Sequence, residues 1–217
     1  IFAGRGVDNL SHPLGDEQAA RRARALAAKL QGKAKGKTHE VAKGQFVELE
    51  LERNDRVFVI LAEFGDTIHP TYGQAPGPLH NQIAQPNRAV DNTTIWQADY
   101  NKAHYENMYF DKMVEYYKKQ SSGRYTINGD VVEWVKVPYN EARYGNNVCG
   151  SNVCSTVWYL IRDAINQWVA DRKAAGMSNQ QIHDELALFD RWDRYDADGD
   201  GNFDEPDGYI DHFQIVH

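Results

Sequence analysis

Residues 196–207 carry the densest concentration of chemistry in this chain. They read Asp196-Ala197-Asp198-Gly199-Asp200-Gly201-Asn202-Phe203-Asp204-Glu205-Pro206-Asp207. With Asp196 as position 1, oxygen-bearing side chains fall at 1, 3, 5, 7, 9 and 12 and glycine at 6. That is the spacing by which a twelve-residue loop wraps a calcium ion, the glycine permitting the sharp turn. The expected ligands are therefore Asp196, Asp198, Asp200, Asn202, Asp204 and Asp207. Five aspartates so close together repel one another unless a cation lies between them. The bland alternative is a solvated turn of Asp, Asn and Gly. A hard, oxygen-only donor set favours calcium over transition metals.

Two features separate this loop from an EF-hand. Asp207 stands where a longer, bidentate Glu is usual, and Tyr209–Val216 reads as a strand, not a helix. The unit is helix, calcium loop, strand, which suits a stabilising extracellular site better than an opening sensor.

Other chemistry is sparse. None of the eight histidines belongs to an H-E-x-x-H motif, there is no G-x-S-x-G elbow, and no glycine loop for phosphate. His212, next to Asp211 on the last strand, reads as a core or sheet-edge histidine before it reads as a catalytic one. The two cysteines, Cys149 and Cys154, cannot make a four-thiolate zinc site. A local disulfide is expected, closing a loop worth about 2 kcal/mol in the chain-entropy model, with a reduced pair as the alternative.

Elements must position that loop. The 217 residues are 41% hydrophobic and 12% aromatic, enough to bury one sizeable core. A net charge of −7 argues against nucleic acid as a partner, and no apolar run is long enough for a membrane span. Ile1 is no initiator methionine, and the sequence stops one residue beyond an apolar strand, so a processed fragment is expected. Asp16 is expected to cap a helix over 17–31 that Gly32 stops, followed by a lysine- and glycine-punctuated linker. Residues 1–44 read as an appendage or pro-segment remnant, or equally as a docked helix, and 45–217 as the compact domain.

Within that domain, Val47, Leu49 and Leu51 alternate with Glu48 and Glu50 as a half-wet strand, while 56–64 is nearly continuous β-branched and apolar, a central buried strand. Residues 65–98, rich in proline, form a long ordered loop. A helical stretch over 100–120 places His104, Met108, Met113 and Tyr117 near one face. Asn128-Gly129 between two apolar runs predicts a β-hairpin. An amphipathic helix over 155–175 stops at Gly176, and Ser178 caps a shorter helix leading to the loop. The fold class is α/β (α+β): a mixed sheet with packed helices and the helix–calcium loop–strand element.

Three segments together carry a resemblance: RVFVILAEFGD at 56–66, YYKKQSSGRYTINGDVVEWVKVP at 116–138, and FDRWDRYDADGDGNFDEPDGYIDHFQIVH at 189–217. They resemble the immune inhibitor A metallopeptidases, and in particular the secreted actinobacterial branch of these zinc endopeptidases. The likeness runs from about residue 45 to the end, and 1–44 looks like the end of the family's pro-region. It implies a zincin-like amino-terminal subdomain of a secreted, extracellular zymogen that acts on protein or peptide substrates. It also implies structural calcium, and zinc held by an H-E-x-x-H motif C-terminal to His217, on a remainder of the same protease that is separate or missing. On that reading no zinc ligand or general base is assignable here, and the chain alone is inactive. The competing class is a non-catalytic, calcium-dependent binding or scaffold module.

Overall fold

A computed structural model describes residues 14–50, 52–145 and 155–217. Its organising element is the strand β3 (Arg53–Glu63). Val57 to Ala62 are all buried, as their β-branched and apolar types require once a neighbour covers each edge and each face. Strand β4 (Tyr125–Val131) pairs parallel with it from Arg53↔Tyr125 to Val59↔Val131. On the opposite edge β6 (Phe213–Val216) pairs parallel from Phe58↔Phe213 to Leu61↔Val216. The short β5 (Val135–Lys136) continues the β4 edge at Ala62↔Val135.

Side-chain alternation along β3 divides the core into two layers. Phe58, Ile60, Ala62 and Phe64 face Leu160, Ala164 and Trp168 of helix α5 (Val157–Ala174) and Ile182 of α6 (Asn179–Ala187). Phe58 makes an edge contact with Trp168 at 5.3 Å between ring centroids and a tilted one with Phe189 at 5.2 Å. Val57, Val59 and Leu61 face the opposite way, onto Tyr109, Ile127 and Val131. Each such side chain contributes about 1.5–3 kcal/mol when fully buried. The two layers of helices on a parallel sheet carry the stability.

Gly176 ends α5 with φ +89°, as the sequence predicts. Ser178 caps α6 with a reciprocal box: its hydroxyl accepts from Gln181 N, and the Gln181 side chain accepts from Ser178 N. The 100–120 stretch is α2 (Lys102–Glu106), a π-helical segment (Asn107–Met113) and α3 (Val114–Gln120). The wider π turn rotates the stripe, so the residues on the core are Tyr105, Tyr109, Phe110, Met113, Val114 and Tyr117, while Met108 is left exposed. Residues 65–98 contain no helix and no strand, as expected of an ordered loop.

Several expectations are corrected. Asn128-Gly129 is not a hairpin turn but the middle of β4, which runs straight through it in parallel with β3. Gly129 has φ +145°, and a Cβ there would lie 2.1 Å from the Val57 carbonyl oxygen, so glycine permits close strand approach, not reversal. Strand β6 begins at Phe213, not Tyr209. Asp16 does not cap the first helix: α1 spans Gly15–Leu30 behind Leu14, which makes no side-chain cap bond, and Asp16 sits in the first turn. Gly32, with φ +70°, does end it.

Strands β1 (Thr38–Ala42) and β2 (Gln45–Glu48) form an antiparallel hairpin, turning at Lys43-Gly44, that straddles the division placed after residue 44. Helix and hairpin share a small core of Ala25, Ala34, Val47 and Leu49, separate from the two layers on β3. Cys149 and Cys154 lie outside the described residues.

Candidate metal centre

The acidic loop hangs from two rigid points. At one end Phe189, 1% exposed, anchors the exit of α6 in the core beneath Phe58. At the other, β6 enters the sheet, where Phe58 N donates to the His212 carbonyl at 2.9 Å. Two aspartates close the base between them. Asp190 accepts from Asp207 N and Gly208 N, both at 2.9 Å. Asp211 accepts from Arg191 N at 2.8 Å, and its own amide donates to the Phe189 carbonyl at 2.9 Å. Burial pushes the Asp211 carboxyl above its ordinary range, although the Arg191 amide pulls the other way.

Inside that frame the carboxylates bend the backbone around themselves. Asp198 Oδ1 accepts from Asp200 N at 3.1 Å, Asp200 Oδ1 from Asn202 N at 2.6 Å, and Asn202 Oδ1 from Asp204 N at 3.2 Å. This i to i+2 ladder is local turn chemistry of Asx residues. Asp196 reaches across to accept from Gly201 N at 2.8 Å and itself adopts φ +52°. Gly199 and Gly201 have φ +75° and +84°, the left-handed conformations that let the loop curl.

Of the six expected ligands, the structure gathers the first three: carboxylate oxygens of Asp196, Asp198 and Asp200 lie within 4.8 Å of one another. A second group overlaps it through Asp198 and adds Asp193 and Glu205. Neither addition follows from the twelve-residue spacing. Asp193 precedes the pattern and is 3% exposed, accepting from Tyr195 N at 3.2 Å and Ala197 N at 2.6 Å. Glu205 falls at position 10, and Asn202 Nδ2 holds it at 2.7 Å. Asn202 therefore orients a carboxylate as well as a turn. Asp204 and Asp207 belong to neither group, and Asp207 Oδ1 accepts from Tyr209 N at 2.9 Å.

Five carboxylates in two overlapping groups offer hard oxygen donors only, a set that fits calcium. Each like-charged pair at about 4 Å costs ~1 kcal/mol in a water-like medium and ~4 kcal/mol at an effective dielectric of 20. A divalent cation converts that repulsion to attraction. Neither group contains a histidine or cysteine, so the described residues assemble no zinc-type donor set.

Beneath the loop lies a second polar cluster that sequence reasoning missed. Asp55 of β3, 5% exposed, accepts from Tyr125 Oη and from His212 Nε2, each at 2.9 Å. Burial pushes its carboxyl up, but those two hydrogen bonds and the charges of His212 and Arg53 outweigh it and hold Asp55 below the ordinary carboxylate range. Burial and the same carboxylate push the Tyr125 phenol upward. His212 is thus a sheet-edge histidine that ties β6 to β3.

A central parallel strand with helices on both faces, feeding a loop of convergent carboxylates, defines an α+β domain with an acidic loop at one end of its sheet. A family model described as "Immune inhibitor A peptidase M6, catalytic domain" matches residues 43–217. The chain belongs to that metallopeptidase family. It is 32% identical to "Immune inhibitor A" of Bacillus thuringiensis subsp. alesti over 76% of its own length and 22% of the relative's. It is 30% identical to "Pre-pro-metalloprotease PrtV" of Vibrio cholerae serotype O1 (strain M66-2) over 94% of its own length and 21% of the relative's. The chain therefore spans about a fifth of the length of these curated relatives. Among the described residues no helix is long and apolar enough to cross a membrane.

Proposed function

We propose that these residues are the amino-terminal part of the catalytic domain of a secreted zinc endopeptidase, stabilised by calcium in the 193–207 loop. The observation that carries the peptidase reading is the catalytic-domain match over residues 43–217. Support for the calcium reading comes from the convergence of Asp196, Asp198 and Asp200, with Asp193 and Glu205 completing the set. Asn202 contributes as an orienting residue, and Asp207 by closing the loop through its amide.

Zinc in such enzymes polarises the scissile carbonyl and lowers the pKa of bound water. No described residue is assigned to that chemistry, and no H-E-x-x-H occurs in the 217 residues. We assign the zinc ligands and the general base to chain beyond this sequence, in keeping with the much greater length of the relatives. The role of β3 and its neighbours is support: a sheet buried on both faces is a rigid platform on which a site can be held within the tolerance catalysis needs. We read residues 1–44 as a pro-segment remnant or a docked appendage of a zymogen whose substrates are proteins or peptides, and expect Cys149 and Cys154 to be joined.

The experiment compares the 217-residue chain with a longer polypeptide that includes an H-E-x-x-H motif. The longer form should hold one zinc and cleave peptides in a chelator-sensitive way, and the short form should do neither. Zinc retention with proteolysis by the short chain alone would overturn the assignment. Inactivity of both forms would favour the calcium-dependent binding module.

A further inference from the structure

The hairpin formed by β1 and β2 rests on the acidic loop. A Cβ built on Gly201 would fall 2.8 Å from Phe46 Cδ1 and 3.1 Å from its Cε1 and Cγ, so the ring lies flush on the glycine backbone. A Cβ on Gly199 would fall 3.6 Å from the Gly44 carbonyl oxygen. The two glycines whose left-handed conformations let the loop curl are thus both points at which the hairpin touches it. Beside this contact a cleft of about 600 Å³ runs between the amino-terminal unit and the domain, with Phe46 and Val47 on one wall and Tyr195 and Phe203 on the other.

The backbone that Phe46 covers is the segment that fixes the candidate ligands. Gly201 N is the donor to Asp196 Oδ1, and Asp200, beside it, is both a member of the first carboxylate group and the acceptor for Asn202 N. Phe46 does not belong to the small core of its own unit, which is Ala25, Ala34, Val47 and Leu49. Its contact with the loop is accordingly a separate interaction from those that fold the hairpin.

We infer that Phe46 is a positioning residue for the cation loop, its ring holding residues 199–201 in the conformation that converges Asp196, Asp198 and Asp200. The inference rests on the calcium reading of that loop. Coupling of this kind is reciprocal: if the seated ring favours the cation-bound loop, a bound cation favours the seated hairpin. Calcium then controls how firmly the amino-terminal helix–hairpin unit is docked, and loss of calcium loosens that unit first.

The test is a calorimetric calcium titration of the protein and its Phe46→Ala and Phe46→Leu variants, with Leu30→Ala as a control on the same unit at a side chain 90% exposed. Couplings between sites are typically 5- to 150-fold, so Phe46→Ala should weaken calcium binding about tenfold. Phe46→Leu, which restores apolar bulk over Gly201, should recover most of the affinity, and Leu30→Ala should leave it unchanged. Hydrogen exchange at residues 38–48 should slow on adding calcium in the unmutated protein and not in Phe46→Ala. Amides of β3 should be indifferent in both, which also confirms that the variant is folded. If the unmutated protein takes up calcium and Phe46→Ala binds it equally well, the positioning role is wrong and the calcium reading stands. If the unmutated protein takes up no calcium, both fall.

Discussion

Strand β3 and the acidic loop are linked through the residues that flank the loop, Arg191 and His212, yet are ordered by opposite means. In β3, order comes from removing apolar groups from water: Val59, Ile60 and Leu61 are 0% exposed, and each edge has a parallel neighbour. In the 193–207 loop almost every backbone turn is held by a side-chain carboxylate or amide, and only Asp193 and Phe203 are buried. The first region contains its stabilising interactions within itself. The second brings five carboxylates together in two overlapping groups. On the calcium reading proposed above, stability in the strand is insensitive to ions and in the loop depends on them.

The sharpest way to break that contrast is to damage the strand and look for an ion effect. Phe58→Ala removes a ring that packs on Trp168 and Phe189 and should cost about 3–5 kcal/mol, equally with and without calcium, by chemical denaturation. A cost that depends on calcium would show that the strand and loop are not energetically distinct.

Charge removal in the loop comes next. With a dissociation constant of about 10 µM, 1 mM calcium contributes about 2.7 kcal/mol. In thermal unfolding that is a rise of about 5–10 °C for a domain of this size. Asp198→Ala with Asp200→Ala should abolish the rise. A double variant that still responds would place the cation elsewhere.

Asp55, at the seam, sharpens the comparison through pH. Asp55→Asn should cost about 2 kcal/mol at neutral pH, since it weakens charge-assisted hydrogen bonds from Tyr125 and His212. The folded pKa of Asp55 lies below its ordinary 3.8, so the carboxylate's contribution is fully present above the unfolded value. It is lost as pH falls through the lower folded value, and the difference between variant and parent should shrink only below about pH 4. A difference that stays constant down to pH 2 would show that the charge is irrelevant. The smallest effect is at the helix that leads into the loop: Ser178→Ala should cost about 1 kcal/mol through its cap, with calcium uptake unaltered in the same titration.

What was legible in the sequence follows the same division. Continuous apolar runs and helix caps act locally, so β3, the end of α5 at Gly176 and the Ser178 cap could be read directly. The direction of β4 could not, because Asn128-Gly129 suits a reversing turn and a close-packed strand equally, and only the Val57 carbonyl beside Gly129 decides between them. The π segment at 107–113 left no periodic signal and rotated the helix stripe by a residue. In the loop, spacing pointed to six residues, of which Asp196, Asp198 and Asp200 converge locally while Asp204 and Asp207 lie apart from them. Asp193 and Glu205 were missed because they join through the loop's fold and a hydrogen bond from Asn202, not through any fixed interval. Asp55 was missed for a simpler reason: its partners Tyr125 and His212 lie 70 and 157 residues away.

The most direct measurement is calcium titration by calorimetry on the unmutated protein and on Asp198→Ala, the residue shared by both carboxylate groups. Saturable uptake in the unmutated protein, largely lost in Asp198→Ala while the fold persists, is the predicted result. No uptake at millimolar calcium, or uptake that Asp198→Ala leaves intact, would contradict it.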